Sequence, residues 1–386
     1  MSLPFSAILV VTALRGTVDV SNRAQLGVRG GGIRNGATLD AETSPAVKIG
    51  VEARRWELTA DYAPRFTASV VGDDPQSYVL HQGRLAARLS YRRLAVSLSE
   101  DGGYGRSTLL SLGVIPGAAP GTIPLASAPA SQVMDYAWSR TGIIARLATT
   151  RRWGVTGSAD LTLSGGAGAT ARATLPFQTA LHAGVSVDHA ASRRDRVAAV
   201  VDGTKARFTT GVEDALLQGK VSWRHDLGRG LFTTFSTGLG WSTSRAAAAP
   251  SPRSTAAPIA EAGLTYRPRA SDLDLDLGLT LRAAPVIDAF RGRIDERFEA
   301  TAVLAWTPTR KVGVQAQAGV ARSIPRGDGV AISLGSGAVV ATYRINDVVQ
   351  IDGGARNAWI VGGGIDIPAQ WMVFAGATLR VPTLRF

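Results

Sequence analysis

The sequence predicts an all-β chain: a transmembrane, antiparallel, up-and-down β-barrel of about 18 strands, with 16 as the alternative. Three observations predict it. Apolar and polar residues alternate with period two from one end to the other. No apolar run approaches the roughly 18 residues that a membrane-spanning helix needs. The breaks between strands take turns between tight and long, as in barrels with short periplasmic turns and longer extracellular loops. Composition agrees. Charged residues make up 19% of the 386, against about 25% in a soluble domain, while 45% hydrophobic content excludes disorder. Cysteine is absent, which removes disulfide scaffolds, thiolate metal sites and cysteine nucleophiles together.

Residues 1–16 read as a signal segment or an N-terminal periplasmic segment: the run Phe5, Ala7, Ile8, Leu9, Val10, Val11 is apolar, but no Lys or Arg precedes it. The barrel domain is expected over 17–386, its first strand at about 20–33. In the next, Val47, Ile49, Val51 and Ala53 alternate with Lys48, Gly50, Glu52 and Arg54. A strand sends neighbouring side chains to opposite faces, so such a segment has one oily and one wet surface. Leu217, Gly219, Val221 and Trp223 alternate in the same way with Gln218, Lys220, Ser222 and Arg224. The clearest case is 272–282, where every second residue from Leu273 to Leu281 is Leu and the others are acidic, small or polar. Val312, Val314, Ala316, Ala318 and Val320 repeat the pattern, and a last strand is expected at 370–381. Alternation is weak near 66–71 and 197–208, so those edges stay open.

Tight turns are expected at Arg54-Arg55, Arg92-Arg93, Arg151-Arg152, 192–195, 227–229, 268–271, 308–310 and Ile345-Asn346. Longer connections are expected at 35–45, 107–134, 165–173, 246–256, 287–295 and 360–369. Such an alternation puts both termini at the tight-turn end. The stretch 107–134, rich in Gly and Pro, is the natural lid or constriction, and its composition suits an exposed loop as well. Trp56, Tyr91, Trp153, Trp223, Trp241, Trp306, Tyr343, Trp359 and Trp371 stand near strand ends, where interfacial girdles belong. The final Phe386 resembles the terminal aromatic that barrel-assembly machinery reads, although Pro382 lies close to it.

Several stretches carry a family resemblance: 93–105 (RLAVSLSEDGGYG), Ser139-Arg140-Thr141-Gly142, Ala284-Pro285-Val286-Ile287-Asp288 and the Arg-rich turns. With them the chain resembles the integral, porin-like outer-membrane barrels of myxobacteria and their relatives. More loosely, it is similar to polysaccharide-export outer-membrane barrels. The likeness implies a Gram-negative outer-membrane protein, and an export role without a diagnostic motif. It transfers no site residues.

Parity then proposes what lines the interior: Lys48, Glu52, Asp61, Arg84, Arg88, Lys220, Arg224, Asp272, Asp274, Asp276, Arg282, Glu299, Asp352 and Arg356. A charge facing lipid at the midplane costs about 2–4 kcal/mol, so in a membrane these side chains turn inward. In a soluble sandwich the same residues would be ordinary solvated ones. Asp272, Asp274 and Asp276 form the densest stripe of one sign; balanced ion pairing is their plainer role, cation or sugar-hydroxyl affinity the sharper one. At the tight turns stand Arg54, Arg55, Arg92, Arg93, Arg151, Arg152, Arg310 and Lys311. Their plain reading is phosphate contact at the lipid surface; the sharper one is a basic rim for an acidic periplasmic partner. The same excess accounts for the net charge of +12, so no nucleic-acid partner is expected.

No catalytic residue, metal site or cofactor is expected. Four His are scattered along the chain: His182 and Asp188 lie about 20 Å apart along one strand, and His189 points away from Asp188. The Gly-rich pieces 27–32 and 362–364 lack the strand-to-helix setting of a phosphate loop. The expected function is an aqueous conduit, with the outer-membrane component of an exopolysaccharide export system as the specific form. The alternatives are a general diffusion porin, or a plugged scaffold barrel in a trans-envelope motility or adhesion complex. Expected partners are outer-membrane lipid, barrel-assembly machinery during biogenesis and a periplasmic polysaccharide-export protein.

Overall fold

The computed structural model describes residues 15–31, 37–70, 76–108, 133–245, 253–268, 274–288, 293–325, 331–362 and 367–386. The chain opens with β1 (Arg15–Gly31), β2 (Thr38–Glu52), β3 (Trp56–Tyr62), β4 (Arg65–Val70), β5 (Gln76–Ser90) and β6 (Leu94–Thr108). Then follow β7 (Val133–Ala148), β8 (Trp153–Gly166), a short helix α1 (Ala169–Thr174), β9 (Gln178–Ala190) and β10 (Asp195–Phe208). The second half runs through β11 (Glu213–Gly228), β12 (Leu231–Arg245), β13 (Arg253–Tyr266), β14 (Asp274–Asp288) and β15 (Arg293–Thr307). It ends with β16 (Val312–Pro325), β17 (Ile332–Arg344), β18 (Val349–Gly362), β19 (Ile367–Arg380) and β20 (Leu384–Arg385).

All strands lie in one antiparallel sheet, each beside its neighbours in sequence, and β1 pairs with β19 to close it. Two of the twenty strands are continuations. β3 and β4 both pair with β2 and with β5, so they form one stave interrupted at Ala63-Pro64, where a proline cannot donate to the ladder. β20 extends β19 past Pro382 and pairs with Thr17 and Val18 of β1. The result is a closed barrel of 18 staves, the number expected from the turns.

The faces divide as the alternation predicts. Outward-pointing Leu26, Ile49, Leu85, Leu98, Leu181, Val201, Leu217, Leu239 and Val373 are 45–67% exposed, and apolar exposure on that scale marks an interaction surface. Trp56 and Trp153 begin their strands, Trp306 and Tyr343 stand one residue from the ends of theirs, and Tyr91 sits in a turn, each 38–49% exposed. Trp241 and Trp371 stand toward the other end of the barrel, at 56% and 43%.

Strands run further than their patterns do. β2 begins at Thr38, inside the connection expected at 35–45; β13 begins at Arg253, and β14 and β15 reach Asp288 and Arg293. β6 and β7 stay paired as far as Thr108 opposite Val133, so the expected 107–134 loop is narrower, and its 109–132 core lies outside the described residues. The reason is physical: alternation is demanded only where one face meets oil, whereas ladder hydrogen bonds continue beyond that band. The connection 209–212 between β10 and β11 is as tight as the turns at the opposite end, so the alternation of short and long is not strict. β1 starts at Arg15, two residues ahead of the expected domain boundary, and 1–14 lie outside the described residues.

Candidate functional site

The polar face of the wall is an ordered belt of opposite charges. Asp61 stands in register with Lys48 on one side and Arg84 on the other, and Lys48 also faces Asp19. Arg84 faces Asp101, with Nε 3.3 Å from Oδ1. Asp101 faces Arg140, which reaches Asp160 at 3.2 Å. Asp160 faces His182 and approaches its Nδ1 at 3.2 Å, while Asp202 lies 3.7 Å from the other ring nitrogen. Cross-strand partners of opposite sign on adjacent strands are the unit by which such a face is stabilised.

The belt continues beyond β10. Lys220 meets Glu261 at 3.3 Å, Glu261 stands opposite Arg282, and Arg282 opposite Glu299 at 3.8 Å. Arg297, 6% exposed, adds a second cation to Glu299 at 3.5 Å. Across the closure, Arg23 of β1 reaches over β19 to Asp352 of β18 at 2.5 Å. Gly376 lies beneath that bridge, and a Cβ there would come within 3.4 Å of the Asp352 carboxylate and 2.8 Å of the Ala24 carbonyl. Phe374 is turned to the same face, only 4% exposed, with Arg23 and Arg356 over its ring at 5.9 and 4.9 Å.

The remaining expected residues fall as follows. Glu52 stands between Arg15 and Glu57, and Arg88 faces Glu57 from the next stave. Arg224 lies opposite Arg196 and covers the Phe232 ring at 4.3 Å. Asp276 is hydrogen-bonded to Arg267, and Asp274 stands opposite Thr307. Asp272 lies outside the described residues. The acidic stripe is therefore paired, at Asp276, to a basic residue beside the turn. All eight basic turn residues, Arg54, Arg55, Arg92, Arg93, Arg151, Arg152, Arg310 and Lys311, are exposed, and Arg55 covers the Tyr91 ring at 5.3 Å.

Parity reading did not single out Asp101, Arg140, Asp160, His182, Asp202 or Glu261. Each has the right parity on its own strand, but its partner comes from a neighbouring strand and depends on register. His182 is the clearest case: its carboxylates come from β8 and β10, not from Asp188 on its own strand. With both ring nitrogens facing carboxylates, His182 has none turned toward a hydroxyl nucleophile. A second His–Asp contact sits at the 191–194 turn. There Asp195 accepts from Ser192 at 2.6 Å, contacts His225 Nδ1 at 2.7 Å and accepts from the Trp223 indole at 3.0 Å. These partners hold its carboxyl down to about 2. Among the described residues no group of three or more His, Asp and Glu is placed to hold a metal ion.

A closed antiparallel barrel with one oily face and one charged face defines the class: a porin-like β-barrel. The chain belongs to the EpsX exopolysaccharide export family, whose profile matches residues 20–383. No curated protein matches it. Among solved structures it is similar to Pseudomonas aeruginosa OccK9 (OpdG), at 11% identity and TM-score 0.48, covering 95% of this chain and 98% of that one. It is also similar to the outer-membrane protein OpdK of the same organism, at 9% and 0.49, covering 95% and 99%. A third is Acinetobacter baumannii OccAB2, at 11% and 0.47, covering 95% and 98%.

Proposed function

We propose that the barrel sits in the outer membrane of a Gram-negative bacterium and forms an aqueous conduit through which an exopolysaccharide leaves the cell. The two-faced wall carries this reading. Outward Leu and Val find a solvent in hydrocarbon, whereas Arg84, Asp101, Arg140 and Glu261 do not, so they line the lumen and hold water there. Barrels of 16–18 strands normally enclose an aqueous channel. A polysaccharide presents many hydroxyls and little charge. A wall of neighbouring donors and acceptors, many of them already held in ion pairs, exchanges hydrogen bonds with such a chain without seizing it. Passage at the barrel is then passive and non-enzymatic, and a periplasmic partner delivers the polymer. The exposed basic turns lie at the inner-leaflet phosphates.

The test has two parts. Deleting the gene is expected to abolish secreted polysaccharide while other outer-membrane functions persist; unchanged export would defeat the proposal. The purified barrel in planar bilayers is expected to conduct. A barrel silent at all voltages would favour the plugged-scaffold reading.

A further inference from the structure

The wall is not zipped all the way around. β13 and β14 pair from Tyr266 opposite Leu277 up to Ala260 opposite Ala283, and there the register ends. β13 nonetheless continues to Arg253 on its other neighbour, as Ser244 opposite Arg253, and β14 continues with β15 to Asp288 opposite Arg293. Extending the lost register by two residues sets Pro258 opposite Pro285. Neither proline has an N–H to give, so this pair could contribute no ladder bond, and the two strands part where the prolines would meet.

β14 then leaves the wall on its polar side. Pro285 has the parity of Leu281 and Ala283, which point outward, yet it is among the side chains below 2% exposure. It rests on β12 and β13: a Cβ at Gly240 would lie 2.5 Å from the Pro285 ring and 3.7 Å from the Ile259 side chain. Gln218 on β11, a strand that is not a neighbour of β14, donates from Nε2 to the Pro285 carbonyl at 3.0 Å. Ala257, Ile259, Ala284 and Ile294 are 3–7% exposed, although Ala257 and Ile259 share the face of Glu261. A second layer of chain over this face accounts for their burial together with that of Pro285. On the outward side the crease leaves an apolar groove of about 990 Å³, lined among others by Phe235, Ala260, Leu281 and Phe298.

We infer that the outer end of the β14–β15 pair, residues 284–288 and 293–297, is an inturned wall segment that sets the aperture of the conduit, held there by the opposed prolines Pro258 and Pro285. The inference rests on the conduit reading above. A β-layer stacked on another takes up about 10 Å, a large part of such a lumen. Gly240 is the seat that admits Pro285, and Gln218 is its latch. The constriction is thus built from the wall itself.

The chain has no cysteine, so engineered pairs report cleanly. Gly240→Cys with Pro285→Cys is expected to cross-link in native outer membranes, and Ala256→Cys with Ile287→Cys, which the same register would pair four residues beyond its end in a fully zipped wall, is not. The converse pattern would overturn the seam, and both pairs are read without altering Pro258. Replacing both prolines, as Pro258→Thr with Pro285→Thr, is expected to let β14 rejoin β13. The 256–287 pair then cross-links, and unitary conductance in planar bilayers shifts upward; heat-modifiable gel migration confirms that the barrel is closed. A conducting parent whose conductance does not change in a variant that has zipped sinks the aperture assignment alone. A parent and variant both silent sink the conduit reading, and the aperture with it.

Discussion

Arg282 shows what one residue contributes to the belt. It stands between Glu261 and Glu299 on adjacent staves, so replacing it with Gln leaves two carboxylates facing a neutral amide. Each opposite-charge cross-strand pair contributes roughly 0.2–1 kcal/mol, so two such contributions are lost; Arg297, which also reaches Glu299, limits the loss. The larger effect is on permeation: Arg282→Gln is expected to move the reversal potential in a salt gradient toward cation selectivity. Asp195 belongs to the same scale and to the turn, outside the spanning band. Its carboxyl is held down to about 2 by Ser192, His225 and Trp223. A depressed folded-state value contributes stability that is present above the ordinary carboxylate value of about 3.9 and is lost as pH falls from there toward 2. Asp195→Asn is therefore expected to flatten the pH dependence of unfolding in that window; an unchanged profile would remove this turn from the account.

At the scale of the element, the closure between β18, β19 and β1 depends on a small residue. Gly376 lets the Arg23 side chain cross β19 to Asp352. Gly376→Val meets the Ala24 carbonyl and the Asp352 carboxylate together, an overpacking that typically costs about 1–3 kcal/mol. The expected outcome is earlier denaturant unfolding of the barrel refolded in vesicles, without loss of the β-sheet signature. The paired strands explain why the penalty stays local. Each stave is held by ladder bonds on both sides, so one disturbed bridge loosens a closure without erasing a strand.

For the whole molecule the governing question is what the oily face touches. Leu239 lies near the middle of β12 and is 67% exposed. In hydrocarbon, Leu239→Arg is expected to cost about 2–4 kcal/mol; on a water-facing surface it would cost close to nothing. Unfolding measured from lipid vesicles separates the two, and a negligible loss would overturn the outward-facing assignment on which the conduit stands.

Period-two alternation, with Leu on one parity and charge on the other in stretches such as 274–282, determined from sequence alone that the chain makes a two-faced sheet. The Arg-marked turns brought the stave count to 18, and the basic residues at 54–55, 92–93, 151–152 and 310–311 were legible because tight turns interrupt alternation sharply. Alternation assigns a side chain to a face but says nothing of its height relative to the next strand. The grip of Asp160 and Asp202 on His182, the reach of Arg23 to Asp352 and the burial of Phe374 between two arginines were therefore decided by register. The inward fold of β14 was likewise a tertiary decision. Pro258 and Pro285 are plain in the sequence, but only the pairing of Ala260 with Ala283 sets them on a collision course. A strand's pattern is local, whereas the partner that completes or breaks its ladder is chosen by closure of the entire barrel.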